Sequence, residues 1–169
     1  MAVEASLGLV CGAAVSEATA GDAAVREIRD ELRELGWLLH DVRHLFHTRQ
    51  IDHASIARRL LYELDELREH LGMIFALKET GGYLDEVVAE VPSLCGCADR
   101  LRAEHVLLFN QLSQLIDQCD DDVQRHRWPE CWKMAQLTFH NFCQRLRAHH
   151  AGEIDLLQKA LSQDIGVAD

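Results

Sequence analysis

Three side chains in the second half of this chain have the types and the spacing of a metal-binding set. Leu101, His105, Leu108, Leu112, Leu115 and Cys119 recur in steps of three and four, and so do Phe139, Phe142, Leu146, His149, Glu153, Leu156 and Ala160. Each series lies on one face of a helix. Faces so apolar point into a core, where a polar group is destabilising unless it is paired or ligated. His149 and Glu153 are four residues apart and stack on one turn. Imidazole and carboxylate at that spacing are how helical bundles build iron or manganese centres. With His105 from the preceding helix, two histidines and one carboxylate with open positions would suit a single Fe(II) ion.

The elements that must position these groups read as four long helices. The first is predicted over Asp22–Thr48, with the stripe Ile28, Leu32, Leu35, Leu39, Val42, Phe46; His40, His44 and His47 fall beside or opposite it and are expected at the surface. The second is predicted over Ser55–Thr80, capped by Asp52 or Ser55 and stopped by Gly81-Gly82. Its stripe is Leu60, Leu64, Leu67, Leu71, Ile74, and the next position is Lys78, with His70 at the edge. Leu84–Val91 is expected as a short helix. The third long helix is predicted over Ser93–Cys119, followed by a solvated acidic loop at Asp120–Asp122. Trp128-Pro129 opens the fourth, which runs to Ser162, with Pro129 in the tolerated first turn. Short links between long amphipathic helices predict an all-α fold, an up-down-up-down four-helix bundle over 25–162. Residues 1–24 and 163–169 are expected as flexible tails.

Composition bounds the partners. A chain of 169 residues with 48% apolar and 27% charged residues can bury one sizeable core without staples. Its net charge of −11 argues against sequence-independent nucleic-acid binding and against an anionic membrane surface. No apolar run approaches the length of a bilayer span. Residues 1–24 lack Lys and Arg, so no secretory leader is expected, and the six cysteines are expected as reduced thiols in a cytoplasmic protein. Cys95-Gly96-Cys97 has one residue between its sulfurs, not the two of common zinc and redox motifs. Trp37, Trp128 and Trp132 are expected in boundary or core packing. No nucleophile, catalytic base or phosphate-binding glycine loop is recognisable, so no enzyme activity is expected.

Three segments carry a resemblance: LREHLGMIFALKETGGYLDE at 67–86, LRAEHVLLFNQL at 101–112 and LRAHHAGEIDLLQKALSQDIGVAD at 146–169. From about residue 25 onward the chain resembles the bacterial branch of the hemerythrin-like domain family. That family is a four-helix bundle holding a non-haem di-iron site, with histidine and carboxylate ligands from all four helices, and serves oxygen carriage, oxygen or redox sensing and iron handling. Carried over by resemblance, His105, His149 and Glu153 match ligands. The second helix departs. The family has a histidine, then phenylalanine, and a carboxylate four after the histidine; here Ile74 and Lys78 hold those places, while Phe75, Glu79 and Tyr83 keep the register. On the first helix the matching height is near Leu32, not His40. A slipped register would recruit His70 and His40 instead, and still lose the bridging carboxylate. The resemblance therefore implies no full di-iron centre. The expected function is a non-catalytic structural or interaction module with a degenerate site, Lys78 pairing Glu153, and a protein partner or self-association. The alternative is one iron or zinc ion at His105, His149 and Glu153, for oxygen or redox sensing or iron handling.

Overall fold

A computed structural model describes residues 19–48 and 53–164, and every regular element among them is helical. Four are long: α1 (Thr19–His47), α2 (His53–Thr80), α4 (Cys95–Gln124) and α5 (Trp128–Asp164). A short α3 (Tyr83–Glu90) and a 3-10 turn (Pro92–Leu94) connect α2 to α4. The expected cap at Asp52, residues 1–18 and residues 165–169 lie outside the described residues. No helix among those described is long and apolar enough to cross a membrane.

The stripes form the core as their spacing requires. On α2, Leu60, Leu64, Leu67, Leu71 and Ile74 are all fully buried. A fully buried leucine or isoleucine contributes about 1.5–3 kcal/mol over an exposed one, so this stripe fixes which face of α2 turns inward. The long helices alternate in direction. Glu31, early in α1, meets His70, late in α2. On α2 and α4, Gly72 faces Phe109 and Glu79 faces His105. On α4 and α5, Glu104 meets His149 and Gln111 meets Arg145. α1 closes the bundle by setting Phe46 against Trp132 and Phe139 of α5. Gly72 permits the close approach of α2 and α4, since a Cβ there would stand 3.1 Å from the Phe109 ring.

Two apolar clusters make up the core. The larger spans all four long helices, from Leu35 and Leu64 to Leu108 and Leu146. The smaller joins α3 to the start of α4 and the end of α5, through Leu84, Val91, Leu101 and Leu156. Gly82, at φ 65°, supplies the left-handed residue that redirects the chain from α2 into α3.

The loop expected at Asp120–Asp122 is instead the last turn of α4. Asp122 continues the α4 stripe three residues beyond Cys119 and is buried, where its carboxylate accepts from Arg127 at 2.9 Å. That pairing offsets the unfavourable helix dipole. The helix stops two residues later than the acidic run because His126 takes φ 57° and the amides of His126 and Arg127 bond back to the carbonyls of Val123 and Asp122. Trp37 departs from its expected place and is 57% exposed, whereas Trp128 is buried and Trp132 is half-buried.

Candidate metal centre

The stripes of α2, α4 and α5 each carry a polar group at one level of the bundle, between the two apolar clusters. Leu101 below His105 belongs to the smaller cluster and Leu108 above it to the larger; Leu156 and Leu146 flank His149 and Glu153 in the same way. Lys78, His105, His149 and Glu153 are all buried. They form a polar layer inside an apolar core, so their charges and hydrogen bonds have to be satisfied locally.

Each imidazole is anchored on its outer nitrogen. His105 donates Nδ1–H to Glu79 Oε1 at 3.1 Å, and His149 donates Nδ1–H to Glu104 Oε2 at 3.0 Å. Ionised carboxylates only accept, so these contacts place the ring proton on Nδ1 and turn the Nε2 lone pair inward. Phe75 fixes the ring planes: it stacks on His105 with centroids 4.1 Å apart and meets His149 edge-on at 5.8 Å.

The inward atoms converge. Glu153 Oε1 lies 3.3 Å from His149 Nε2 and 3.6 Å from His105 Nε2. All three atoms are buried without a hydrogen-bond partner. The other oxygen of Glu153, Oε2, takes the Lys78 ammonium at 2.6 Å. Burial by itself pushes the Glu153 carboxyl up; the two imidazoles and the ammonium outweigh it and hold the group well below the usual carboxylate range. Glu153 is therefore an anion, and two lone-pair nitrogens face its free oxygen. Such a group needs a cation at its centre, either protons on the rings or a metal ion.

His105, His149 and Glu153 can hold a single metal ion, each offering one ligand atom within 4.8 Å of the others. Ligands about 2.1 Å from a metal stand about 3.0–3.4 Å apart in octahedral or tetrahedral geometry. The Oε1–Nε2 separations of 3.3 and 3.6 Å match this with a shift of a few tenths of an ångström. Glu79 and Glu104 supply the outer carboxylates that orient metal-binding histidines. Three carboxylates against one ammonium leave two net negative charges when the imidazoles are neutral, which a divalent ion balances.

The remaining predicted positions separate clearly. Ile74 is fully buried among apolar groups, and Leu32 packs against the same core, so neither contributes a donor. Lys78 sits in the site and pairs with Glu153 as expected. His70 is half-buried and bound to Glu31 at 2.6 Å, and His40 is exposed. The slipped register that would recruit both is thus corrected: Glu31 holds the His70 ring in the α1–α2 seam, and His40 lies on the outer face of α1. Among the described residues, no second group of three or more histidine, cysteine or carboxylate ligands accompanies the trio. Sequence reasoning used Glu79 only to keep the register of α2 and passed over Glu104, because both lie on the rim, where carboxylates are ordinary; their adjacency to Lys78 and His105 is the signal that could have marked them as partners. It also missed His150, half-buried beside His149, whose pKa is lowered to about 4 by burial and by the Lys78 charge.

No family model matches the chain, and no curated protein and no solved structure matches it.

Proposed function

We infer that this chain is a hemerythrin-like bundle whose centre holds one divalent transition-metal ion, ligated by His105, His149 and Glu153. The observation that carries this reading is the convergence of three buried, unpartnered donor atoms, with each histidine oriented from behind by a carboxylate. Bound there, an iron(II) or zinc(II) ion would supply a Lewis-acidic centre with open positions for a small ligand. The protein's own part is to hold the donors rigidly, to exclude water with Phe75 and the two leucine layers, and to limit the site to one ion. Lys78 does the last of these. Its ammonium occupies Glu153 Oε2, the oxygen that would have to bridge to a second ion. This suits binding or sensing of a small ligand, or iron handling, and no reaction is assigned.

Elemental analysis of protein purified without added metal, followed by calorimetric titration with Zn(II) and anaerobic Fe(II), tests the reading. One ion per chain is expected, and His149→Ala or Glu153→Ala should abolish binding. Free ion at a hundredfold excess over Kd should stabilise the fold by about 2.7 kcal/mol. A wild-type chain that takes up no ion at this site, or a Glu153→Ala chain that binds as tightly, refutes it.

The second reading is a metal-free structural or interaction module, for a protein partner or a second copy. The 2.6 Å Lys78–Glu153 ion pair favours it, because it already satisfies one carboxylate oxygen. In that case ring protons take the place of the ion, and the His149→Ala variant loses stability that metal never restores.

A further inference from the structure

A second site lies where α1 packs on α5. A cavity of about 270 Å³ opens there over Phe46 and Phe139, two buried rings with centroids 5.5 Å apart, and the exposed Leu137 extends its apolar wall. Its rim carries nitrogen-bearing side chains. Arg43 comes from α1 and Lys133 from α5, and Gln136 of α5 donates its amide to the Phe46 carbonyl at 3.5 Å. His47 donates Nδ1–H to the Arg43 carbonyl at 2.7 Å, and His140 Nε2 accepts from the Gln144 amide at 3.0 Å, so both rings are held in place at the edge.

The charged side chains that line this cavity are cationic. No carboxylate lines it, although the chain has 28 acidic residues against 17 Lys and Arg. Arg33, Arg68, Arg102, Arg127 and Lys159 all have carboxylate partners. Arg43 and Lys133 have no carboxylate partner among the described residues, as is also true of Arg58, Arg100, Arg145 and Arg147, but only these two flank the aromatic cavity. Two unpaired cations above an aromatic floor complement a ligand with an anionic head and an apolar body. An arginine fork favours a planar carboxylate for that head. The volume lies just under that of drug-sized pockets, which calls for a small molecule rather than a peptide segment.

We propose that the α1–α5 seam binds a small organic carboxylate, its head between Arg43 and Lys133 and its hydrocarbon body on Phe46, Phe139 and Leu137. This site does not depend on the metal reading.

Octanoate is the probe, titrated into the full chain at low salt and followed by ¹H–¹⁵N NMR. Saturable shifts are expected at the amides of Gln136, Leu137 and His140. Lys133→Gln should weaken binding about tenfold, as for loss of one charge-assisted contact, and so should Arg43→Gln. Lys133 is exposed and Arg43 half-buried, so the Lys133 variant stays decisive even where Arg43→Gln perturbs packing in the seam. Octanol, with the same body and no charge, should not saturate. The proposal is overturned if octanoate does not saturate, if Lys133→Gln binds it unchanged, if octanol binds as tightly, or if inorganic phosphate competes with equal affinity. Displacement of octanoate by an acidic peptide at equal concentration would assign the seam to a protein partner instead, and also overturns it.

Discussion

Replacing Lys78 by methionine removes the ammonium from Glu153 while keeping the length and apolar stem of the side chain. The two groups are 2.6 Å apart, with side chains 8% and 7% exposed. At an effective dielectric of about 20 their Coulomb attraction is about 6 kcal/mol. Desolvation of both charges offsets much of that, so the intact pair adds little net stability. Removing only one partner is different, because the Glu153 carboxylate stays buried without its counter-charge. Such losses run to about 3–5 kcal/mol. For a chain of 169 residues, at about 2–4 °C per kcal/mol, Tm should fall by about 6–20 °C. Urea denaturation followed by circular dichroism, in buffer stripped of metal, measures the loss. The double variant Lys78→Met with Glu153→Leu should lose less than Lys78→Met alone, since no unpaired charge remains. Zn(II) should then bind the single variant more tightly than wild type, because a positive charge beside the ion has gone. A loss below about 1 kcal/mol for Lys78→Met would refute the buried ion pair, and weaker Zn(II) binding would refute the role given to Lys78 in limiting the site.

Three further outcomes follow from the structure. His150 has a folded pKa near 4 against an ordinary 6.5, so the unfolded chain takes up its proton first; stability should be constant above about 6.5 and fall as the pH drops toward 4, and His150→Leu should flatten that slope in urea titrations, whereas a ring titrating near 6.5 by NMR would contradict it. Cys119 and Cys143 are buried, and burial pushes the Cys119 thiol up to about 12 and raises Cys143 as well, so iodoacetamide should label neither in the native state; Cys95 is also raised, by the Asp99 carboxylate, but is exposed, so it should label in the native state and faster as the pH rises, and mass spectrometry before and after unfolding distinguishes them. His126 holds φ 57° at the end of α4, a conformation glycine adopts without strain, so His126→Gly should stabilise the fold by about 0.5–1 kcal/mol and raise Tm by about 1–4 °C.

Much of the fold was legible because the helix stripes are long and nearly pure. The series through Leu60 to Ile74 needs only the helical period to say which face is buried, and the same period puts His105, His149 and Glu153 inward. It also places Lys78 on the inner face, so its pairing with Glu153 could be read from charge alone. Asp122 shows the opposite case. It lies on the α4 stripe, yet three consecutive aspartates read locally as a solvated turn, and the pairing that makes its burial tolerable comes from Arg127, beyond the helix end. His70 was equally ambiguous, because an edge histidine can turn either way; Glu31, thirty-nine residues earlier, decides it.

By itself the sequence determined the four amphipathic helices, their inward faces and the three donor types that those faces carry, since local periodicity and side-chain hydrophobicity act within a few turns. The tertiary structure alone decided the rest. The register between α2, α4 and α5 brings Nε2 of two histidines to one oxygen of Glu153, gives the other oxygen to Lys78, and lends Glu79 and Glu104 to the outer ring nitrogens. Those contacts span helices, and a shift of one residue along any of them would move a side chain by about 1.5 Å in height and 100° in direction. No local pattern encodes an alignment that fine, whereas the packing of Gly72 against Phe109 and of the two leucine layers around the site does.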